Sequence, residues 1–190
     1  MPGFGLDMSP ARKRKSSRSR AARSPSPIPP GFGTLTVYLT VDGGLAAMEF
    51  YKKAFGAREL VRRVTPSGKL IHGRLRIGNS ILLLSDVFPD STTAAPSAIG
   101  TTTATLHLYS KDVDALWDRA VAAGAKVAMV LENQFWGERY GRLVDPFGHH
   151  WSLAMRVRVP RSEMDAKRKE AEAAFARGEH PNKDSPYGDA

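Results

Sequence analysis

The chain has 190 residues, with 28 Lys or Arg against 19 Asp or Glu, and no cysteine. That length suits one domain of ordinary size with tails, and the lack of cysteine excludes disulfides and thiolate metal sites. No apolar run approaches the roughly 20 residues that span a bilayer, and no apolar signal segment follows the early basic stretch, so a cytoplasmic protein with no membrane partner is expected.

The net charge of +9 is unevenly placed. Residues 1–30 hold seven Lys or Arg and one acid, Asp7, a sum of +6 that leaves +3 for residues 31–190. This first segment is Ser, Pro, Arg and Lys with little to bury, so residues 1–32 are expected to form a disordered basic tail. Residues 11–23 could serve as a nucleic-acid arm. The alternatives are a solvated tail or extra residues from an upstream start.

From Gly33 the pattern changes. Residues 35–41 (LTVYLTV) read as a strand, and Asp42 is placed to cap a helix over LAAMEFYKKAF. On that helix Ala47, Phe50, Tyr51, Ala54 and Phe55 share a face, and Gly56 stops it. Residues 59–65 and 70–78 read as strands around the turn Pro66-Ser67-Gly68, and 80–86 as a fourth strand. Residues 87–100, rich in Pro, Ser, Thr and Ala, read as a linker or mobile loop.

After the linker the order repeats. Residues 101–109 read as a strand and 111–124 as a helix with Val113, Leu116, Trp117, Ala120 and Val121 on one face. Residues 126–132, 138–145 and 150–157 are three further strands. Beyond them a charged helix is expected, with Ser162 as cap and a shallow stripe of Met164, Ala171 and Phe175 that packs on the domain or on a partner. The repeat also shows in single residues. Gly56-Ala57 recurs as Gly124-Ala125, and Gly73-Arg74-Leu75 as Gly141-Arg142-Leu143, both 68 positions later. A constant offset predicts a duplicated β-α-β-β-β unit. The fold class is therefore α+β: two tandem βαβββ modules, 33–86 and 101–157, forming a sheet-lined cup within a domain at 33–158, with 159–190 as C-terminal helix and tail.

The segments YLTVDGGLAAMEFYKKAFGA, IHGRLRIGNSILLLSD and FWGERYGRLVDPFGHHWSLA resemble the vicinal oxygen chelate superfamily, the group of glyoxalase I, bleomycin-resistance proteins and extradiol dioxygenases. The similarity is greatest to its PhnB-like branch and covers about residues 34–157. It implies paired βαβββ modules, commonly a homodimer, and a pocket inside the cup. Metal-using members take their ligands from four inward-facing strand positions. On this chain those positions fall at about Thr36, Leu82, Thr103 or Thr105, and Ser152. None offers the imidazole or carboxylate that a divalent metal wants, so no metal or other cofactor is expected.

His149 and His150 are adjacent, and neighbours on a strand point to opposite faces, so the pair cannot ligate one metal from a regular strand. His150 would share the inward face with Ser152 and Ala154. His149 would sit in the turn or point outward, with Trp151 and Leu153 on the packed face. The same alternation gives an inward list of Thr36, Tyr38 and Thr40; His72, Arg74 and Arg76; Thr103, Thr105 and His107; and Tyr140 and Arg142. These faces are either a pocket lining or the solvent side of half-exposed strands, and for Arg76 the solvent side is the expectation.

The expected ligand-binding set is thus Tyr38, His72, Arg74, Thr103, Thr105, His107, Trp136, Tyr140, Arg142, His150 and Ser152. Hydroxyls, imidazoles and guanidiniums suit an anionic or oxygen-rich small molecule. Residues 31–155 carry 13 basic and 11 acidic side chains, which gives no help to a cationic ligand such as bleomycin. Trp117 and Trp151 fit core positions. Glu138 is the catalytic candidate, as a general base, or else a surface carboxylate paired with Arg139 or Arg142. No phosphate loop, dinucleotide fingerprint or GxSxG elbow occurs. The leading expectation is a metal-free small-molecule-binding protein. A metal-dependent lyase, isomerase or dioxygenase using His72, His107 or His150 is the first alternative, and a nucleic-acid-associated protein the second.

Overall fold

The computed structural model describes residues 26–89 and 91–179. The basic arm expected at residues 11–23 lies outside the described residues, as does everything before residue 26 and after residue 179.

The first module runs β1 (Val37–Val41), α1 (Gly44–Phe55), β2 (Arg58–Val64), β3 (Leu70–Ile77) and β4 (Ser80–Asp86). A short helix α2 (Pro96–Ile99) follows. The second module runs β5 (Thr105–Tyr109), α3 (Val113–Ala122), β6 (Lys126–Gln134), β7 (Glu138–Val144) and β8 (His150–Arg156), and α4 (Arg161–Ala176) ends the described chain. Each module makes one four-stranded sheet with the same plan, β1-β4-β3-β2 and β5-β8-β7-β6. In each, the first strand runs parallel to the last, and the other neighbours are antiparallel. Parallel neighbours need a crossover, and the helix after the first strand belongs to it. The expected α+β duplication is the fold observed.

The repeated glycines have a packing reason. A Cβ on Gly73 would lie 2.9 Å from Leu84 and 3.1 Å from the sulfur of Met48, and one on Gly141 would lie 2.6 Å from the Trp117 ring and 2.9 Å from the Leu131 Cα. In both modules a helix side chain thus presses on the middle of the sheet where glycine leaves room. The predicted apolar faces are buried as the helical period requires, Ala47, Phe50, Tyr51, Ala54 and Phe55 on α1, and Val113, Leu116 and Ala120 on α3. Val121 is exposed. Trp151 is buried and Trp117 packs against the same core.

The two modules share one core. Phe55 and Tyr51 of α1 pack at a tilt against Trp151 of β8, with ring centroids 4.4 and 5.5 Å apart. Beneath them Asp145, only 3% exposed, accepts four hydrogen bonds. The Tyr51 hydroxyl and the Trp151 indole N–H donate to its Oδ2 at 2.7 and 2.9 Å, and the Phe147 and His149 amides donate to its Oδ1. Burying a carboxylate is costly unless its lone pairs are filled, and here they are. Burial and the Asp145 carboxylate together push the Tyr51 hydroxyl pKa well above its ordinary value. Asp145 and Trp151 are thus what the DPFGHHW segment contributes to the fold.

Several local expectations give way to long-range partners. Asp42 does not cap α1. The Gly43 and Gly44 amides instead donate to Asp86 Oδ1 at 2.9 and 2.7 Å, and the Leu70 amide donates to its Oδ2. Asp86 ends β4 opposite Val41, so strand pairing carries a better-aimed carboxylate to the helix start. Asp112 caps α3 in the local manner, accepting from the Ala115 amide. Ser162 is the second residue of α4 rather than its cap; Pro160 precedes the helix and no side chain caps it. Of the α4 stripe, Ala171 is buried, Met164 rests near Gly137 and Phe175 is exposed. The 87–100 segment is not a free linker. Ala95 and Pro96 are buried, and Thr93 hydrogen-bonds Thr40 of β1 hydroxyl to hydroxyl at 3.0 Å. The strand expected from residue 101 starts only at Thr105.

Candidate functional site

A cavity of about 550 Å³ draws its lining from both modules. β1 contributes Val37 to Thr40, the β3–β4 hairpin Ile77 and Ser80 to Leu82, and β5 Thr105 to Leu108. His149 and Trp151 stand at the start of β8. Thr93, Ala94, Pro96, Ile99 and residues 101–104 complete it. The lining holds no Asp, Glu, Lys or Arg. Its polar groups are hydroxyls and two imidazoles, set among apolar side chains. Of the expected ligand-binding residues, Tyr38, Thr103, Thr105 and His107 line it; Thr103 does so from outside any strand.

His149 corrects an expectation. It neither sits in an open turn nor points outward. It is 7% exposed, and its Nε2 lies 3.2 Å from the Thr40 carbonyl, which places the ring proton on Nε2 and ties the two modules together. β8 begins at His150 as expected, and it is the residue before the strand that is drawn inward, onto the Thr40 carbonyl of β1. Thr93, Pro96 and Ile99 are lining residues that sequence reasoning missed. Their composition is that of a loop, and only the chain's return over β1 makes them a wall.

The remaining expected residues stand outside this lining, on the sheet faces turned away from the helices, except Trp136, which lies in the turn between β6 and β7. In the first module Tyr38, His72, Arg74 and Arg76 share that face, as the cross-strand register shows. Tyr38 is 50% exposed and its ring centroid is 6.2 Å from that of His72. The Phe32 ring covers the Arg74 guanidinium at 4.8 Å. Burial, then Arg74 and Arg63, hold the His72 pKa below its ordinary value of 6.5.

In the second module His107, Ser152, Tyr140, Arg142 and His150 share the corresponding face. His107 Nδ1 lies 2.7 Å from Ser152 Oγ, its ring stacks on Tyr140 at 6.0 Å, and Trp136 meets Tyr140 edge-on at 5.6 Å. Ser152 is 2% exposed, so its hydroxyl orients His107 and is closed to attack on a solute. Burial, then Arg142, lower the His150 pKa. Glu138 is paired with neither Arg139 nor Arg142. The Tyr109 hydroxyl and the Trp136 indole N–H donate to its two oxygens, while Arg139, one position on and facing the other way, forks onto Asp114.

The Nε atoms of Arg74, Arg76 and Arg142 are buried without an acceptor among the described residues. Arg76 is therefore half-buried rather than an open solvent-face side chain. Each such donor costs about 1–3 kcal/mol when left dry and unpaired.

The donor set does not fit a divalent metal. Thr36 precedes β1 and its hydroxyl turns back to the Gly33 carbonyl. Leu82, expected on the cup face, packs in the core on the helix side, where it pairs with Leu75. Ile81 and Leu83 occupy the other face of β4, and neither is a ligand. Ser152 is engaged by His107. Among the described residues no three His, Asp or Glu side chains converge as a metal-holding group. Nor is any described helix long and apolar enough to cross a membrane.

Comparison with known proteins agrees with this architecture. An uncharacterised protein of Mycobacterium bovis is 48% identical over 127 residues, which is 65% of this chain and 84% of that protein. The crystal structure of TioX from Micromonospora sp. ML1 superposes with a TM-score of 0.54 at 27% identity, covering 66% of this chain and all of that one. The X-ray structure of an Arabidopsis thaliana gene product gives 0.54 at 29% identity, over 65% and 99% of the two chains. Residues 33–153 match the family described as the Glyoxalase/Bleomycin resistance protein/Dioxygenase superfamily. The chain belongs to that superfamily, the vicinal oxygen chelate group whose motifs its sequence carries.

Proposed function

We propose that this protein binds a small, oxygen-rich, uncharged molecule in the cavity between its modules, without the superfamily's usual metal site. The observation that carries this is the lining itself. A charged ligand would need a counter-charge in a partly dry site, and none lines it. Hydroxyls of Tyr38, Thr40, Thr93, Thr103 and Thr105 with the imidazole of His107 both donate to and accept from ether, carbonyl or hydroxyl oxygens. Leu39, Ile81, Leu106 and Trp151 supply apolar contact, the usual balance for a small-molecule pocket. The same reading takes the protein as a cytoplasmic homodimer, supported by the exposed apolar side chains Val37, Ile71 and Tyr109 along the sheets.

The test is a thermal-shift and calorimetric screen of sugars, quinones and lactones, run with and without added manganese, nickel or zinc. At least one uncharged class should raise the melting temperature without metal. Thr105→Trp, which fills the cavity, should abolish that shift while keeping the far-UV spectrum. About one tightly held divalent ion per chain in the purified protein, or ligand shifts only when metal is added, would overturn the reading.

A further inference from the structure

The two sheet faces differ in charge. On the first module the cross-strand register puts Arg58, Val61, Arg63, His72, Arg74, Arg76, Ile81, Leu83 and Ser85 on one face with Tyr38 and Thr40. No carboxylate stands among them. The guanidiniums of Arg63, Arg74 and Arg76 have no ion pair or hydrogen bond among the described residues, and two of them have a buried Nε. Arg62, the neighbour pointing the other way, is engaged by Glu49 and Glu59 at 2.7 and 2.6 Å. The first module therefore neutralises Arg62 on the helix side and leaves Arg63, Arg74 and Arg76 uncompensated on the open side.

We infer that this face is an anion site for a phosphorylated small molecule, with Arg74 and Arg76 as its principal ligands and Arg63 and His72 beside them. Clustered guanidiniums repel one another, and an oxyanion removes that repulsion while filling the dry Nε donors. Phe32 favours this use. The Arg74 Cζ lies over its ring at 4.8 Å, a contact that supplies no acceptor atom, so the guanidinium N–H donors have no acceptor among the described residues. Gly31 lies so close to Arg76 that an added Cβ would stand 2.8 Å from Nη2, so the segment before β1 also limits where that side chain can swing. Arg74 and Arg76 are two residues apart on one face, roughly 6.6 Å along the strand, a spacing that suits two linked phosphoryl groups better than one. None of these arginines lines the inter-module cavity, so the site is separate from the one proposed above. Tyr38, which lines the cavity and neighbours His72, is the side chain between them.

Isothermal titration with inorganic pyrophosphate, and with orthophosphate at matched ionic strength, tests the inference. Pyrophosphate should bind more tightly than orthophosphate and keep its site at about 150 mM salt, where a diffuse basic surface is screened. The double variant Arg74→Gln/Arg76→Gln should weaken it about tenfold or more, and Arg62→Gln, whose guanidinium is already paired, by less than about twofold. Folding of each variant is read by far-UV circular dichroism. Should the double variant misfold, the His72 ring resonances of the unaltered protein, which should shift on adding pyrophosphate, decide the matter. No binding, binding that survives the double substitution, or equal loss in Arg62→Gln would overturn the inference. Thr105→Trp should leave pyrophosphate binding intact, so failure here and failure of the cavity reading are told apart.

Discussion

The two modules share a backbone plan and differ in what they show to solvent. Both place the first strand parallel to the last, press a helix onto a glycine in the third strand, and follow that glycine with an arginine facing away from the helix. On the first module the arginine joins a face without carboxylates. On the second, Arg142 and Arg156 stand with Glu132, Glu138, Tyr140 and His107, an aromatic face that carries both signs of charge. Duplication has kept what the backbone and core require and let the open-face side chains diverge. The helix starts differ as well. Asp112 caps α3 from the adjacent position, whereas α1 is held by Asp86 from 42 residues away.

Breaking the shared core should do the most damage. Asp145→Ala leaves the Tyr51 hydroxyl, the Trp151 indole and two amides without their acceptor, and we expect a loss of about 4 kcal/mol or more in urea denaturation. Asp86→Ala frees three amides of one module only and should cost about 2–3 kcal/mol. Equal losses would show that the Asp145 network is not what joins the modules.

The repeated glycines test the same comparison on a smaller scale. Gly141→Ala meets backbone at Leu131 and the rigid Trp117 ring, so about 2–3 kcal/mol is expected. Gly73→Ala meets the ends of Leu84, Leu70 and Met48, which can turn aside, and about 1 kcal/mol is expected. The reverse order would mean that the first module is the tighter of the two.

The smallest effect is electrostatic and should appear in both modules. His72 and His150 have pKa values depressed below 6.5, first by burial and next by Arg74 and Arg142 respectively. In this window the unfolded chain takes up protons before the folded one, so stability falls as pH drops below about 6.5 and levels off beneath the folded values. Arg74→Gln should raise only the His72 pKa and Arg142→Gln only that of His150, each part of the way because burial remains. Imidazole NMR titration in phosphate-free buffer reads both, and a shift in the wrong histidine would break the pairing of arginine with imidazole.

Much of the fold was legible because its signals are local or periodic. Alternation gave the face shared by His72, Arg74 and Arg76, and the helical period gave the buried side of α1. The 68-residue offset announced two units, and the motif DPFGHHW pointed to the superfamily. The site was legible only in part. Tyr38, Thr103, Thr105 and His107 were expected and line the cavity, but Thr103 does so from an unpaired segment, His149 replaces His150, and Trp151 replaces Ser152. Leu82, which the resemblance puts at about a cup-facing position of β4, packs on the helix side, because a strand's parity is fixed by its pairing partners.

The sequence by itself determined the duplicated βαβββ plan and the helix faces. Each rests on residue identity or on a period of 2 or 3.6, and both act within a few residues. Only the tertiary structure decided that Asp86 and not Asp42 receives the start of α1, that Asp145 fastens one module to the other, and that residues 93–104 become a wall of the cavity. It alone also showed which arginines lack a partner. Those outcomes depend on groups tens of residues apart arriving within about 3 Å of each other, a distance set by strand pairing and core packing together.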